Sequence, residues 1–315
     1  MLIATDLDGT LVHGKKETII ELFDLFKKHN LTIAYVTGRD IKNFRNLTKL
    51  FYREKGVRLM SPDYLITLNG ARIYRYKKSY LVPVKKFWVD RGWYKQVKVG
   101  WNRRAVNEAL KATAEKVLFD NNLPALVDVK YKPSWIYFEY IVYYHKIAEI
   151  KAMLEEECEK RNTKVNVIFD YLEKKYVDMG LSILDTIDKQ KANIIRNMRD
   201  EDEGIYVMMP SATNKGLAVE YIASKKGLNP AQIIAAGDGG NDYHLLTRGF
   251  NSIIVNNAHP ILLRQTLETL SDYEKSNLIY TPSDGAEGLL QGLKIVLDKP
   301  FSHGGNSGLS SVINA

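Results

Sequence analysis

The sequence predicts an α/β protein: a Rossmann-like doubly wound parallel sheet with a second α/β unit inserted into it. Three observations predict this. Short β-branched runs alternate with amphipathic segments of helical period, the pattern of a parallel sheet covered by helices on both faces. Three of the runs end in loops bearing acids, glycine or a hydroxyl, at the edge where such sheets bind ligands. Between about residues 40 and 214 the alternation gives way to a stretch with strands and helices of its own. A chain of 315 residues can bury a core large enough for two domains.

The first strand, Ile3-Ala4-Thr5, runs into Asp6-Leu7-Asp8-Gly9-Thr10. Two acids this close repel each other and are tolerable beside a positive group, usually a divalent metal. The alternative is an Asp pair capping a turn or helix. Gly9 lets the backbone turn sharply beside the charge. A helix over 17–28 comes next, with Ile19, Ile20, Phe23 and Phe26 at helical spacing and Lys27 and Lys28 at the end the dipole favours.

The second strand, 31–37, ends in Thr37-Gly38-Arg39. The Thr37 hydroxyl and the Gly38 N–H suit a phosphate oxygen; Thr37 as an ordinary N-cap is the alternative. A strand at 64–68 completes the first part. The intervening stretch reads as strands at 80–89, 126–131 and 135–144 and helices at 103–118 and 145–161. Residues 164–169 and 205–209 could complete its sheet, and 180–200 are helical in pattern, with Ile183, Ile187, Ile194 and Ile195 apolar.

Lys215 begins a helix over 214–226, where a cation opposes the helix dipole. A bound phosphate or a carboxylate cluster would account for it; a solvated surface lysine is the bland alternative. The strand 233–237 then leads into Gly237-Asp238-Gly239-Gly240-Asn241-Asp242. Two acids and an amide in a glycine-rich loop after a buried strand point to a metal and phosphate site. Strands at 252–255 and 277–280 and helices at 242–248, 259–270 and 284–297 complete the pattern. Residues 301–315 are a small-residue tail, expected to be flexible.

Composition narrows the classes. The single cysteine, Cys158, excludes an intrachain disulfide and a cysteine metal site. It lies in a run of acids that would raise its pKa, so it is not expected to be a nucleophile. The chain enters its first strand with no leader pattern, and no apolar run approaches the about 20 residues a membrane helix needs. A cytoplasmic protein without a membrane partner is expected. The formal charge of +8 is concentrated: from Arg72 to Arg104 there are eleven Lys or Arg and one acid, Asp90, with Trp88, Trp93 and Trp101 among them. Such a stretch suits a nucleic-acid surface, a phosphorylated-sugar site, or tryptophans in a core beneath a solvated basic face.

In order and spacing, Asp6-Leu7-Asp8-Gly9-Thr10, Thr37, Lys215 and Gly237-Asp238-Gly239-Gly240-Asn241-Asp242 resemble the four motifs of the haloacid dehalogenase superfamily of phosphotransferases. The long gap before Lys215 resembles the branch with a large α/β cap. Leu68-Asn69-Gly70-Ala71-Arg72-Ile73-Tyr74 is similar to Cof-type phosphatases, and Gly100-Trp101-Asn102-Arg103-Arg104-Ala105-Val106 to sucrose-phosphate phosphatases. Residues near 170–204 look like additional material. The resemblance implies a core of 1–79 and 210–300 and an inserted cap of 80–209 that sets specificity.

It also implies Asp6 as nucleophile and Asp8 as general acid and base. Thr37, Gly38, Lys215 and Asn241 would hold the phosphoryl group. Mg²⁺ would sit among Asp6, Asp8 and Asp238, with Asp242 binding it or anchoring Lys215. The expected substrate is a small phosphorylated metabolite, foremost a sugar phosphate, contacted by Trp101, Arg103 and Arg104. The rivals are a phosphomutase of the same superfamily and a non-catalytic nucleic-acid or anion-binding module. A nucleic-acid partner is not expected, and the oligomeric state is left open.

Overall fold

The structure, a computed structural model, describes residues 1–79, 82–118, 126–128, 138, 140–143, 147–171 and 205–298. The chain starts with β1 (Leu2–Thr5), α1 (Lys16–Lys28), β2 (Thr32–Val36), α2 (Ile41–Lys55) and β3 (Tyr64–Thr67). Two antiparallel strands come next, β4 (Arg72–Ser79) and β5 (Val82–Val89), then α3 (Arg91–Val97) and α4 (Arg103–Leu118). After them stand β6 (Leu126–Asp128), β7 (Tyr140–Tyr143), α5 (Ile147–Glu159), β8 (Asn166–Tyr171) and β9 (Ile205–Ser211). The last part holds α6 (Lys215–Lys226), β10 (Ile233–Gly237), α7 (Tyr243–Leu246), β11 (Asn251–Ile254), α8 (Pro260–Thr269), α9 (Asp272–Lys275), β12 (Leu278–Tyr280) and α10 (Gly285–Asp298).

These strands form two sheets. The larger runs β12-β11-β10-β1-β2-β3-β4-β5, the smaller β6-β7-β9-β8. From β12 to β3 the larger sheet is parallel, with Leu2 opposite both Ile233 and Thr32. Strand order reverses between β1 and β10, so the loops leaving them part and open a crevice at the carboxyl edge.

The pleat sorts the side chains of the larger sheet into two cores. Ile3, Ile33, Tyr35, Leu65, Ile234 and Ile253 face α1, α2 and α10, whose Leu22, Phe26, Phe44, Leu47, Leu289 and Leu293 cover them. Leu2, Ala4, Val36, Ile66, Ala235 and Ile254 face the other way, under Trp93 of α3, Val219 and Ile222 of α6 and Leu245 of α7. Burying each large apolar side chain contributes about 1.5–3 kcal/mol. The smaller sheet has its own core, in which Val106 and Leu110 of α4 and Ile150 and Leu154 of α5 pack on Phe138, Val167 and Met208.

Two expectations are corrected. The strand at 80–89 does not belong to the inserted sheet: β5 pairs with β4 and closes the edge of the larger one. Consecutive strands most readily pair with each other, and that local preference outranks a boundary drawn from motif spacing. The strands of the smaller sheet accordingly run from 126 to 211, two residues past the expected end of the cap at 209. Residues 41–55, given no element from the sequence, form α2. Phe44, Leu47 and Phe51 are buried at helical spacing, Asp40 caps the start by accepting from Asn43 N at 2.7 Å, and Gly56 ends it at φ 68°. The helix expected at 180–200, most of the added material near 170–204 and the tail at 301–315 lie outside the described residues.

Two of the three tryptophans in the basic stretch pack inside the protein, while Trp88 is exposed. Trp93 is core and donates to the Gly70 carbonyl at 2.8 Å. Trp101 packs against Phe138, 6.1 Å between ring centroids, and Arg103 stacks over the same Phe138 ring at 4.2 Å. Arg104 is exposed and pairs with Glu108. Cys158 is buried in the smaller core, and burial above all, with Glu155 and Glu157 adding to it, pushes its thiol up to about 11.

The turn between β3 and β4 governs the approach of α6. Its Leu68, Asn69 and Gly70 have φ of 54°, 52° and 102°. Holding a non-glycine residue there costs on the order of 1–3 kcal/mol. At Gly70 a Cβ would stand 2.2 Å from the Asn214 carbonyl oxygen, so this turn sets how closely the start of α6 approaches β3. Gly70→Ala is expected to destabilise the protein by about 2 kcal/mol or more, read as a lower urea midpoint at unchanged slope. An unchanged midpoint would mean that the turn does not fix α6.

Candidate active site

The carboxyl ends of β10, β1 and β2 lie side by side, which brings three loops distant in sequence into one place. Asp6 leaves β1 with its N–H still bonded to the Ala236 carbonyl at 2.9 Å, so the strand ladder itself positions it. The chain then turns tightly through Leu7–Leu11. Gly9 has φ 80°, and a Cβ there would meet Asp238 Oδ2 at 2.2 Å. Only glycine lets the first loop press against the loop after β10. Thr10 donates to Asp238 Oδ1 at 2.8 Å, and Asn257 Nδ2 bridges the Gly9 carbonyl at 2.9 Å and Asp238 Oδ2 at 3.4 Å.

Lys215 is fully buried at the first position of α6. Its Nζ donates to Asp6 Oδ1 at 2.7 Å, Asp242 Oδ1 at 2.6 Å and Asn241 Oδ1 at 3.0 Å. Those partners answer the objection of the helix dipole. Burial works against the ammonium, but the carboxylates of Asp242 and Asp6 outweigh it and hold Lys215 above the ordinary lysine range. The helix is capped by Asn214, whose side chain accepts from Leu217 N at 3.0 Å.

Asp242 uses its other oxygen, Oδ2, to accept from the backbone N–H of Asp238 at 3.1 Å and of Gly239 at 3.0 Å. It therefore folds the glycine-rich loop and fixes the lysine together. Asp8 takes a bidentate pair from Arg39, with Nε and Nη2 each at 2.7 Å and both side chains mostly buried. Thr37 is buried beyond β2; its hydroxyl accepts from Arg39 N at 3.1 Å. Gly38 is half-buried, facing the side chains of Asn69 and Asn241. Asn241 Nδ2 reaches across to the smaller sheet, donating to Asp170 Oδ2 of β8 at 3.0 Å.

Of the eight residues singled out in the sequence, Asp6, Asp8, Thr37, Gly38, Asp238, Asn241 and Asp242 stand on these adjoining loops, and Lys215 reaches them from the first turn of α6. The structure does not bring the other three candidates into the cluster by any contact described above: Trp101 and Arg103 pack on Phe138, and Arg104 pairs with Glu108. Arg39 stood in the Thr37-Gly38-Arg39 string without a role, and its partner could not be read from it. Thr10 stood in the first motif without a role of its own, and Asn257 and Asp170 carried no signal.

Charge dominates the chemistry. Carboxylate oxygens of Asp6, Asp238 and Asp242 lie within 4.8 Å of one another, all buried. With Asp8, four carboxylates face two cations, Lys215 and Arg39, an excess that a divalent cation would offset. An all-oxygen donor set suits a hard ion. Without one, burial first, and then the neighbouring Asp242, Asp238 and Asp8, push the Asp6 carboxyl well above its usual range despite Lys215.

The chain belongs to the haloacid dehalogenase-like hydrolase family, whose profile matches residues 3–278. It is a phosphatase of that family, a phosphoric monoester hydrolase. It is 25% identical over 270 residues to an HMP-PP phosphatase of Cronobacter sakazakii, covering 83% of this chain and 86% of that protein. To an HMP-PP phosphatase of Citrobacter koseri it is 23% identical over 276 residues, covering 84% and 87%. Its fold matches that of the sucrose-phosphatase of Synechocystis sp., solved with sucrose and phosphate, with a TM-score of 0.65, 23% identity and coverage of 94% and 97%. Among the described residues no helix is long and apolar enough to cross a membrane.

The raised Asp6 carboxyl has a consequence for stability. In its ionised form Asp6 costs stability at neutral pH; that cost disappears as pH falls through its folded pKa toward the ordinary value of about 4. In chelator, Asp6→Asn is therefore expected to melt above the wild type at pH 7, by a margin that closes as the pH is lowered toward 4. A variant that melts lower at pH 7 would mean that the pairing with Lys215 outweighs burial and repulsion.

Proposed function

We propose that the protein hydrolyses a small phosphorylated metabolite, a sugar phosphate, through an aspartyl-phosphate on Asp6, with Mg²⁺ as its metal. The observation that carries this is Asp6 itself, a buried carboxylate held by Lys215 at 2.7 Å beside the end of the central strand pair. An Asp6 oxygen attacks phosphorus in line, the ester P–O bond breaks, and Asp8 gives its proton to the departing alcohol. Water then attacks phosphorus, Asp8 takes a proton from it, and phosphate leaves with Asp6 restored. For these steps Asp8 parts from Arg39 and takes up a proton, so the bidentate pair belongs to the resting enzyme.

Thr37, Gly38, Lys215 and Asn241 hold the phosphoryl oxygens. Hydrogen bonds from groups already in place are worth roughly 3 kcal/mol each in such sites. Asp6, Asp238 and the Asp8 backbone carbonyl would hold Mg²⁺. Bound there, the ion offsets the repulsion between the Asp6 carboxylate and the phosphoryl group. Asp242, a candidate metal ligand by sequence, has both oxygens engaged by Lys215 and the backbone, and its role in this reading is to anchor them.

The smaller sheet acts as the cap. Its contacts with the site loops, Asp170 to Asn241 at 3.0 Å and Asn166 Oδ1 to Asn214 Nδ2 at 3.2 Å, support a lid over a small leaving group. A single buried cysteine fits a reducing cytoplasm.

Purified protein with Mg²⁺ should release inorganic phosphate steadily from members of a sugar-phosphate panel. Activity should fall to background in excess EDTA, and Ca²⁺ should inhibit. Asp6→Asn should retain less than a few per cent of wild-type turnover. Substantial turnover by Asp6→Asn sinks the covalent route, full activity in EDTA removes the metal, and faster hydrolysis of nucleotides or phosphoproteins than of every sugar phosphate overturns the substrate class.

A further inference from the structure

Among the described residues, two buried oxygens at the end of β3 lack a partner, Thr67 Oγ1 and Asn69 Oδ1, and the second adjoins the site. Asn69 is 1% exposed, and no described residue donates to its Oδ1. Its Nδ2 lies 2.9 Å from the sulfur of Met209 on β9, a weak acceptor. Turning the amide over does not help, because Oδ1 would then face a thioether that has no proton to give. Oδ1 lies beside Gly38: a Cβ on Gly38 would stand 3.2 Å from it and 3.6 Å from Asn241 Nδ2. The Asn69 N–H donates to the Thr37 carbonyl at 3.1 Å, pinning the residue to the strand end that carries Thr37. Asn69 also has φ 52°. A strained backbone and an orphaned buried acceptor at one residue persist where they serve a ligand.

Resting on the phosphatase reading, we propose that Asn69 is a specificity-determining residue whose Oδ1 accepts a hydrogen bond from the substrate hydroxyl next to the phosphoester. The phosphoryl oxygens of a dianion only accept, so they cannot satisfy Oδ1. Asn241 Nδ2 gives one N–H to Asp170 and, in the reading above, the other to a phosphoryl oxygen. The donor we assign is therefore on the leaving group, and because Asn69 stands beside Thr37 and Gly38 it is the hydroxyl nearest the ester. The ligand class is a phosphorylated polyol with a vicinal hydroxyl. An aryl phosphate offers no such donor.

The test uses Asn69→Gly, because glycine keeps the positive φ while removing the amide. Thermal melting shows whether the variant is folded. Steady-state kinetics are measured on the best sugar phosphate, its analogue lacking the vicinal hydroxyl, and p-nitrophenyl phosphate. The expected result is a loss of about tenfold in kcat/KM on the sugar phosphate, mostly through KM, and a several-fold smaller loss on the aryl ester. The wild type alone supplies a second measurement: it should favour the parent ester over the deoxy analogue by about tenfold, and the variant should treat the two alike. Equal losses on all three esters, as a protonated phosphoryl oxygen or a packing role would give, overturn the inference and leave the sugar-phosphate reading standing. A wild type that does not distinguish the deoxy analogue overturns it too. A wild type that hydrolyses p-nitrophenyl phosphate but no polyol phosphate overturns both.

Discussion

The structure turns on one buried ammonium. A lysine with no exposure has given up its hydration and can persist only among groups that replace it. Lys215 finds three, and they come from segments far apart in sequence: Asp6 after the first strand, and Asn241 and Asp242 after β10. The lysine thereby locks the start of α6 to both central strands. Removing the lysine would leave Asp6 and Asp242 buried without their cation, a loss that typically costs about 3–5 kcal/mol. Gly70 and Gly9 serve the same end, since each allows a close backbone approach that a side chain would block. The geometry around Lys215 is therefore a condition of the fold as well as of the chemistry.

The same cluster is unfavourable by itself. Its carboxylates outnumber its cations, and the raised Asp6 carboxyl expresses that imbalance. Much of the surrounding hydrogen bonding is devoted to carboxylate oxygens: Thr10 and Asn257 on Asp238, two backbone N–H groups on Asp242, the Arg39 fork on Asp8. Hydrogen bonds to an ionised group are the stronger kind and favour its charged form. The protein thus holds negative charge in a dry place, as binding a cation and an electrophilic phosphorus both require.

What the sequence made legible was local. Each motif is a short string after a buried strand, and a parallel sheet necessarily lines such string ends along one edge. Pairing at a distance stayed concealed. Arg39 is visible beside Thr37, but its acid lies 31 positions earlier. Thr10 stands in the first motif, which does not disclose its bond to Asp238; Asn257 is a neutral residue with no pattern around it, and Asp170 belongs to the inserted sheet. The tryptophans show the limit of composition: Trp93 and Trp101 pack within the protein, yet a ring in a core and a ring over a sugar read alike. Strand β5 was misplaced for a related reason, since motif spacing locates an insertion without saying which strand pairs with which.

The neighbours of β1 bear on how the chain is made. One, β2, comes within a few tens of residues; the other, β10, pairs with it roughly 230 residues later. Contacts of such separation are slow to form, because the intervening chain must be gathered before the pairing contributes. On a ribosome, the strands of the smaller sheet, ending at Ser211, are synthesised before Ile233 exists. Asp6 is made long before β10 and is enclosed only once β10 has paired beside it. A chain stalled before β10 carries that carboxylate without the surroundings that make it reactive, so activity reports synthesis and pairing of that late strand.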